Sequence, residues 1–150
     1  MQNWQELIGT KGRIMGVDFG DTRTGLAVSD ESRFLASGIG YISVGGLLKT
    51  AEKTAELARE NKVSAIVVGL PVNMNGTQGP RAERAKEFAE KLGELIDVPV
   101  CMIDERMTTM SAARYLDMTN THGKKRKQSI DTLSAQIILQ NCLDRLKYMG

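Results

Sequence analysis

The chain has 150 residues, 41% hydrophobic and 25% charged, with a net charge of +2 at neutral pH. That length suits one domain with a real core, and that balance argues against a disordered or membrane-embedded protein. A charge of +2 is too small to imply a nucleic-acid partner by itself, so such an argument must rest on where cations cluster.

The opening stretch, MQNWQELIGTKGR, lacks the apolar core of a signal peptide, and no apolar run approaches the roughly 20 residues of a membrane span. A cytoplasmic location with no membrane attachment is expected. RIMGVDFG and TGLAVSD, separated by the turn-prone GDTR, predict an antiparallel hairpin whose first strand covers Arg13 to Val17. FLASGIGYISV supplies a third strand. In LLKTAEKTAELARENK the apolar residues Leu47, Leu48, Ala51, Ala55, Leu57 and Ala58 recur at mostly helical intervals, ahead of the buried-strand run SAIVVGLP. The polar loop VNMNGTQGP leads into a second amphipathic helix, RAERAKEFAEKLGELI, and VPVCMIDER follows as another short buried strand. A short helix from about Thr109 to Leu116, a polar basic loop, and a last helix from about Ser129 to Leu146 complete the chain. No repeat or linker divides it, so residues 1–150 read as a single α/β domain, a mixed central sheet with helices on both faces. Cys101 and Cys142 have neither metal spacing nor a disulfide framework and read as reduced core residues.

Three acidic signals interrupt this apolar pattern. Asp18 ends the first strand and is surrounded by Gly16, Gly20 and Gly25; a charge at such a place needs a partner unless the strand has simply reached water. Asp104 and Glu105 end the late strand in the same way. Neighbouring strand residues point to opposite faces, so only one of these two can share a site with Asp18, and alternation alone leaves the choice open. Asp131 heads a helical stripe continued by Ala135, Ile138 and Cys142. A Ser129 N-cap with an acid in the first turn would explain its turn, through the helix dipole, but not its core-facing row. Three carboxylates from two strand ends and a helix start suit a divalent cation with oxygen ligands, magnesium or manganese. Two such ions roughly 4 Å apart would activate a water for in-line attack on a phosphodiester. The lone His122, in a polar loop, cannot form a histidine metal site by itself and reads as a solvated residue.

GVDFGDTRTGLAVSD, VVGLPVNMNGTQG, DERMTTMSA and KKRKQSIDTLSAQIILQ, in this order over Gly16 to Gln140, resemble the motifs of the YqgF/RuvX family. That family is described as Holliday junction resolvases and more recently as pre-16S rRNA nucleases, and the resemblance implies a ribonuclease H-like fold. By position it implies Asp18, Glu105 or its neighbour Asp104, and Asp131 as the catalytic or metal-holding acids, and it places Arg23 and Arg106 on family arginines. Asn75, Thr77 and Ser134 depart from the residues common in the family, and none of these departures removes a carboxylate.

The substrate such an enzyme needs gives the cations a role. Lys124, Lys125, Arg126 and Lys127 precede the Asp131 helix, where they either form a solvated loop or neutralise phosphates flanking the scissile one. GLPVNMNGTQG is either an ordinary turn or a loop whose glycines and Asn73 let backbone amides approach a phosphate. Arg81 and Arg84 extend the basic surface or, with Glu83 and Glu87, form a solvated ion-pair face. A sugar-kinase or actin-like ATPase is disfavoured because one domain lacks the second half that closes on a nucleotide. A non-catalytic nucleic-acid-binding factor would gain nothing from three carboxylates that repel its ligand. The reading is therefore a magnesium- or manganese-dependent endonuclease acting on structured nucleic acid, with RNA favoured over DNA junctions. It works as a monomer or as the homodimer that junction resolution would require.

Overall fold

The computed structural model describes the backbone of residues 4–73, 75–104 and 123–149, with side chains described except at 4, 123–131 and 149. In chain order the elements are α1 (Trp4–Ile8), β1 (Ile14–Asp18), β2 (Thr24–Ser29), β3 (Ala36–Ile42), α2 (Leu47–Glu60), β4 (Ala65–Leu70), α3 (Pro80–Leu95), β5 (Val100–Asp104) and α4 (Gly123–Met149). The strands form one sheet in the order β3-β2-β1-β4-β5. The β1–β2 and β2–β3 pairs are antiparallel, as short connections allow, and the β1–β4 and β4–β5 pairs are parallel, as helical crossovers require. The expected mixed sheet with helices on both faces is what forms.

Strand alternation sorts the core into two layers. Met15, Val17, Leu26, Ile66, Val68, Leu70 and Met102 pack with the small and aromatic residues of α2 and α3, among them Ala51, Ala55 and Phe88. Ile14, Ala27, Val67, Cys101 and Ile103 pack on the other face against Leu7 of α1 and Ala135, Leu139, Cys142 and Leu143 of α4.

What fixes α4 on its face is a row of small residues. Gly38, Ala27 and Gly16 are register partners across β3, β2 and β1. A Cβ on Gly16 would lie 2.7 Å from the Leu139 Cβ and 3.0 Å from the Ala135 carbonyl oxygen, and one on Gly38 would meet the Thr132 Cγ2 at 2.4 Å. Only this lack of side chains lets the helix lie so close to the sheet. Gln140 then ties it down at the edge: its amide oxygen accepts from the Ala36 N–H at 2.8 Å while its nitrogen donates to the Phe34 carbonyl at 3.2 Å. Gln136 donates to the Ala36 carbonyl at 3.3 Å. The outer edge of β3 is thereby covered near its start.

The end of the sheet away from Asp18 is closed by Arg33, which sits in the left-handed region at φ 60. Its guanidinium donates to the carbonyls of Gly12 at 2.7 Å and Leu7 at 3.0 Å and to the Thr10 hydroxyl at 2.6 Å, which holds α1 and the β2–β3 turn together. Asp30 shapes that turn by accepting from the Phe34 and Leu35 N–H groups and the Ser32 hydroxyl, and these bonds hold its carboxyl below the usual carboxylate range. Cys101 and Cys142 are both free and buried, as expected, and burial pushes the Cys142 thiol up to about 12.

Two boundaries differ from the sequence reading. The last helix begins at Gly123 and not near Ser129, so the basic run Lys124 to Lys127 is helical backbone and not a loop. A run of cations with no apolar residue carries no periodicity, which hides the start. The short α1 has no counterpart in the sequence pattern, because five residues are too few to show a period. The expected helix from Thr109 to Leu116 lies outside the described residues. No helix among the described residues is long and apolar enough to cross a membrane.

Candidate functional site

Asp18 is the last residue of β1, in register with Gly25 of β2. Its neighbours Val17 and Phe19 are both buried in the α2–α3 core, where Phe19 stacks on Phe88 with ring centroids 4.6 Å apart. With both neighbours anchored on that side, alternation turns Asp18 to the α4 face, at the sheet end where β1, β4 and β5 all finish. Packing of its neighbours on the opposite side thus sets the face taken by the charge at the end of this apolar run.

Asp104 ends β5 and pairs with Leu70. Leu70 and the preceding alternate residue Met102 belong to the α2–α3 core, so Asp104 takes the face opposite to Asp18. Of the two acids that the sequence leaves as alternatives, the structure describes Asp104 alone. Glu105 and Arg106 lie outside the described residues, as does His122. Asp131 is the ninth residue of α4, more than two turns from its start; for Asp131 and for Lys124 to Lys127 the backbone alone is described. The Ser129 N-cap reading falls with the earlier helix start: the dipole acts within the first turn and cannot account for an acid at 131. Among the described residues no group of three His, Cys, Asp or Glu is poised to hold a metal.

The turn joining β1 to β2 is tight because a Cβ on Gly20 would lie 2.3 Å from the Arg23 carbonyl oxygen. The Thr24 hydroxyl lies 3.3 Å from the Gly20 carbonyl and closes it. Arg23 leaves this turn with its guanidinium 5.6 Å from the centre of the Tyr41 ring. Tyr41 is a residue that sequence reasoning misses, since no local pattern shows which face an edge-strand aromatic takes.

The β4–α3 loop reaches the same end of the sheet but is closed on itself. The N–H groups of Asn73, Gly76 and Thr77 bond to the Thr77 carbonyl, the Asn73 carbonyl and the Asn75 side chain respectively, and the Asn73 amide donates to the Thr77 hydroxyl at 3.0 Å. Those three backbone amides are committed within the loop, which removes them from any phosphate cradle. Arg84 is held by Asp21 at 3.1 Å and Glu87 at 3.1 Å, so the ion-pair alternative holds for it; Arg81 is exposed one turn earlier.

A family model described as RuvX: Holliday junction resolvase matches residues 12–145. The chain belongs to the RuvX family. Its RuvX relatives include a protein of Bacillus cereus, 45% identical over 139 residues that span 89% of this chain and 98% of the relative. Another, from Ruminiclostridium cellulolyticum, is 43% identical over 135 residues, 89% of this chain and 95% of the relative. Both carry the provisional name pre-16S rRNA nuclease. Among solved structures, Thermus thermophilus RuvC in complex with a Holliday junction substrate is similar with a TM-score of 0.60, covering 93% of this chain and 96% of that one. At 14% identity that likeness speaks for the fold, which is that of the ribonuclease H-like resolvases.

Proposed function

We propose that this RuvX protein is a metal-dependent endonuclease that hydrolyses phosphodiester bonds in structured RNA, with Asp18, Glu105 and Asp131 as its acids. The observation that carries the reading is the contact of α4 with Gly16. From that contact, two residues along β1 lead to Asp18, an advance of about 6.6 Å. Four residues back along α4 from Ala135 lead to Asp131, about 6 Å of helix axis. The Gln140 bonds near the start of β3 put the later part of α4 at the far end of the sheet, so its earlier turns run toward the Asp18 end. These two steps therefore lead in the same direction. Asp104 faces away, which favours Glu105 as the acid from the late strand.

Carboxylate oxygens without histidine suit a hard cation, and bound magnesium or manganese would activate a water and offset charge on the leaving oxygen. Asp18 and Asp131 hold the site from a strand and a helix whose spacing is fixed by close packing. In the reaction the water oxygen bonds to phosphorus as the bond to the 3′ oxygen breaks, leaving a 5′-phosphate and a 3′-hydroxyl. Lys124, Lys125, Arg126 and Lys127 occupy the opening turns of α4, where the positive end of the helix disfavours cations, so a polyanionic partner would relieve them. Arg23, Arg81, Arg106 and Asn73 are further substrate contacts on this reading, Asn73 only if its bond to Thr77 is given up.

RNA is favoured because relatives 43–45% identical over most of the chain carry the RNA-processing name. The family description favours a second reading, a resolvase of DNA junctions, which would need two active sites in a homodimer. The purified chain is offered a precursor of 16S rRNA and a DNA four-way junction, each with magnesium, with manganese and with excess chelator. The expected result is metal-dependent RNA cleavage leaving 5′-phosphate ends. Undiminished cutting in chelator would refute the mechanism, and binding of either substrate without turnover would return the protein to a non-catalytic binding role.

A further inference from the structure

The β2–β3 ladder contains one irregularity, and it decides where Tyr41 points. Leu26 pairs with Gly40 and Ala27 with Gly38, which leaves Ile39 as an extra residue on β3. Unbroken alternation would put Ala36, Gly38, Gly40 and Ile42 on a single face. Instead Ala36 packs with the α4 layer and Gly38 lies under Thr132, while Ile42 packs in the α2–α3 layer. The bulge reverses the phase of the strand, helped by Gly40 at φ +123, a conformation that side chains resist. Tyr41 is thereby carried to the α4 face, in the register row Asp18, Gly25, Tyr41. Gly25 contributes no side chain between the two. Two strand spacings, about 10 Å, separate their backbones. Tyr41 belongs to neither core layer and is 40% exposed, with the Arg23 guanidinium over its ring.

We propose that Tyr41, re-aimed by this bulge onto the Asp18 face, is a platform on which a base of the RNA stacks beside the scissile phosphate. The assignment rests on the reading of that face as the nuclease site. Aromatic rings and arginine guanidinium planes are the surfaces on which unpaired RNA bases stack, and Tyr41 and Arg23 supply one of each, the guanidinium lying over one face of the ring. The bulge gives Ile42 its place in the α2–α3 core and leaves Tyr41, a large aromatic, outside both cores at the sheet end that carries Asp18. Stacking is indifferent to base identity, so Tyr41 would position the strand without reading its sequence.

The test is equilibrium binding of the full chain, in chelator, to labelled single-stranded RNA, and to the same RNA with one abasic site moved along it. Tyr41→Ala should weaken binding to the intact RNA about 5- to 150-fold, the span expected when one base is no longer stacked. Tyr41→Phe and Tyr41→Trp should bind as the unaltered protein does, and the salt dependence of Tyr41→Ala should be unchanged because every cation that neutralises a phosphate is still in place. One abasic position should weaken the unaltered protein as much as Tyr41→Ala does, with no further loss when the two are combined. Equal affinity of Tyr41→Ala and the unaltered protein overturns this assignment while leaving the nuclease reading in place. The absence of any sensitive abasic position does the same without relying on a variant that must fold. Failure of the unaltered protein to bind RNA with magnesium as well as in chelator overturns both.

Discussion

Replacing Gly16 by alanine should damage catalysis more than it damages the fold. The new Cβ would lie 2.7 Å from the Leu139 Cβ and 3.0 Å from the Ala135 carbonyl oxygen. Carbon atoms in ordinary contact are about 3.5 to 4.0 Å apart, so α4 must lift from β1 by about 1 Å where the two meet. Neither obstructing atom can swing aside, since one is a Cβ and the other is backbone. Overpacking of this kind costs about 1–3 kcal/mol, which a domain of this size survives. The same lift moves residue 131, one turn away, relative to Asp18, and a misplacement of about 1 Å at a reacting centre costs on the order of 100-fold in rate. The assay is a thermal melt beside a metal-supported RNA cleavage time course on one preparation, with Gly38→Ala as comparison. There the close contacts of the added methyl are side-chain atoms, the Thr132 Cγ2 at 2.4 Å and the Gln136 Oε1 at 3.3 Å, with the nearest backbone atom in ordinary contact at 3.7 Å, so cleavage should fall less. A Gly16→Ala protein that cuts RNA at the unaltered rate would refute the claim that this contact sets the site.

Changing Lys124, Lys125, Arg126 and Lys127 together to alanine should weaken RNA binding across sequences and flatten its log–log salt dependence by roughly 0.7 to 0.9 for each phosphate no longer neutralised; an unchanged slope would make the run a solvated surface. Burial of Cys142 gives a pH signature. The thiol ordinarily ionises at 9.0 and in the fold at about 12, so above pH 9 the unfolded chain binds fewer protons than the native one. Stability should therefore fall as pH rises through that window, by at most about 1.4 kcal/mol per pH unit from this group. Denaturant unfolding of Cys142→Ala should show a correspondingly shallower decline, and identical pH dependence in both proteins would exclude the effect.

The sheet is legible in the sequence because its strands are short apolar runs separated by glycine-rich turns, and α2 and α3 because their apolar residues keep a helical period. The acids at 18, 104, 105 and 131 are also visible as charges in apolar surroundings. The face of each is not. Asp18 is directed by the burial of Val17 and Phe19 on the opposite side, and Asp104 by its pairing with Leu70, and both are facts of tertiary register. Gly16 reads as one of three turn-like glycines around Asp18, whereas it is the seat of α4; its partners, Ala27 and Gly38, come from strands that only the fold brings alongside. Tyr41 is illegible for a related reason, since one inserted residue in β3 inverts the faces of everything after it. Nothing local marks Arg33 as a clamp, because its carbonyl partners are more than twenty residues away in sequence.

The most direct test of the three-acid site is manganese binding to the full chain, followed by electron paramagnetic resonance, in the unaltered protein and four single variants. Asp18→Asn, Glu105→Gln and Asp131→Asn should each lose or strongly weaken the bound ion, because each removes one of the charged oxygens that hold it. Asp104→Asn should retain it, because that side chain stands on the other face of the sheet. Retention in Asp131→Asn, or loss in Asp104→Asn with retention in Glu105→Gln, would contradict the account.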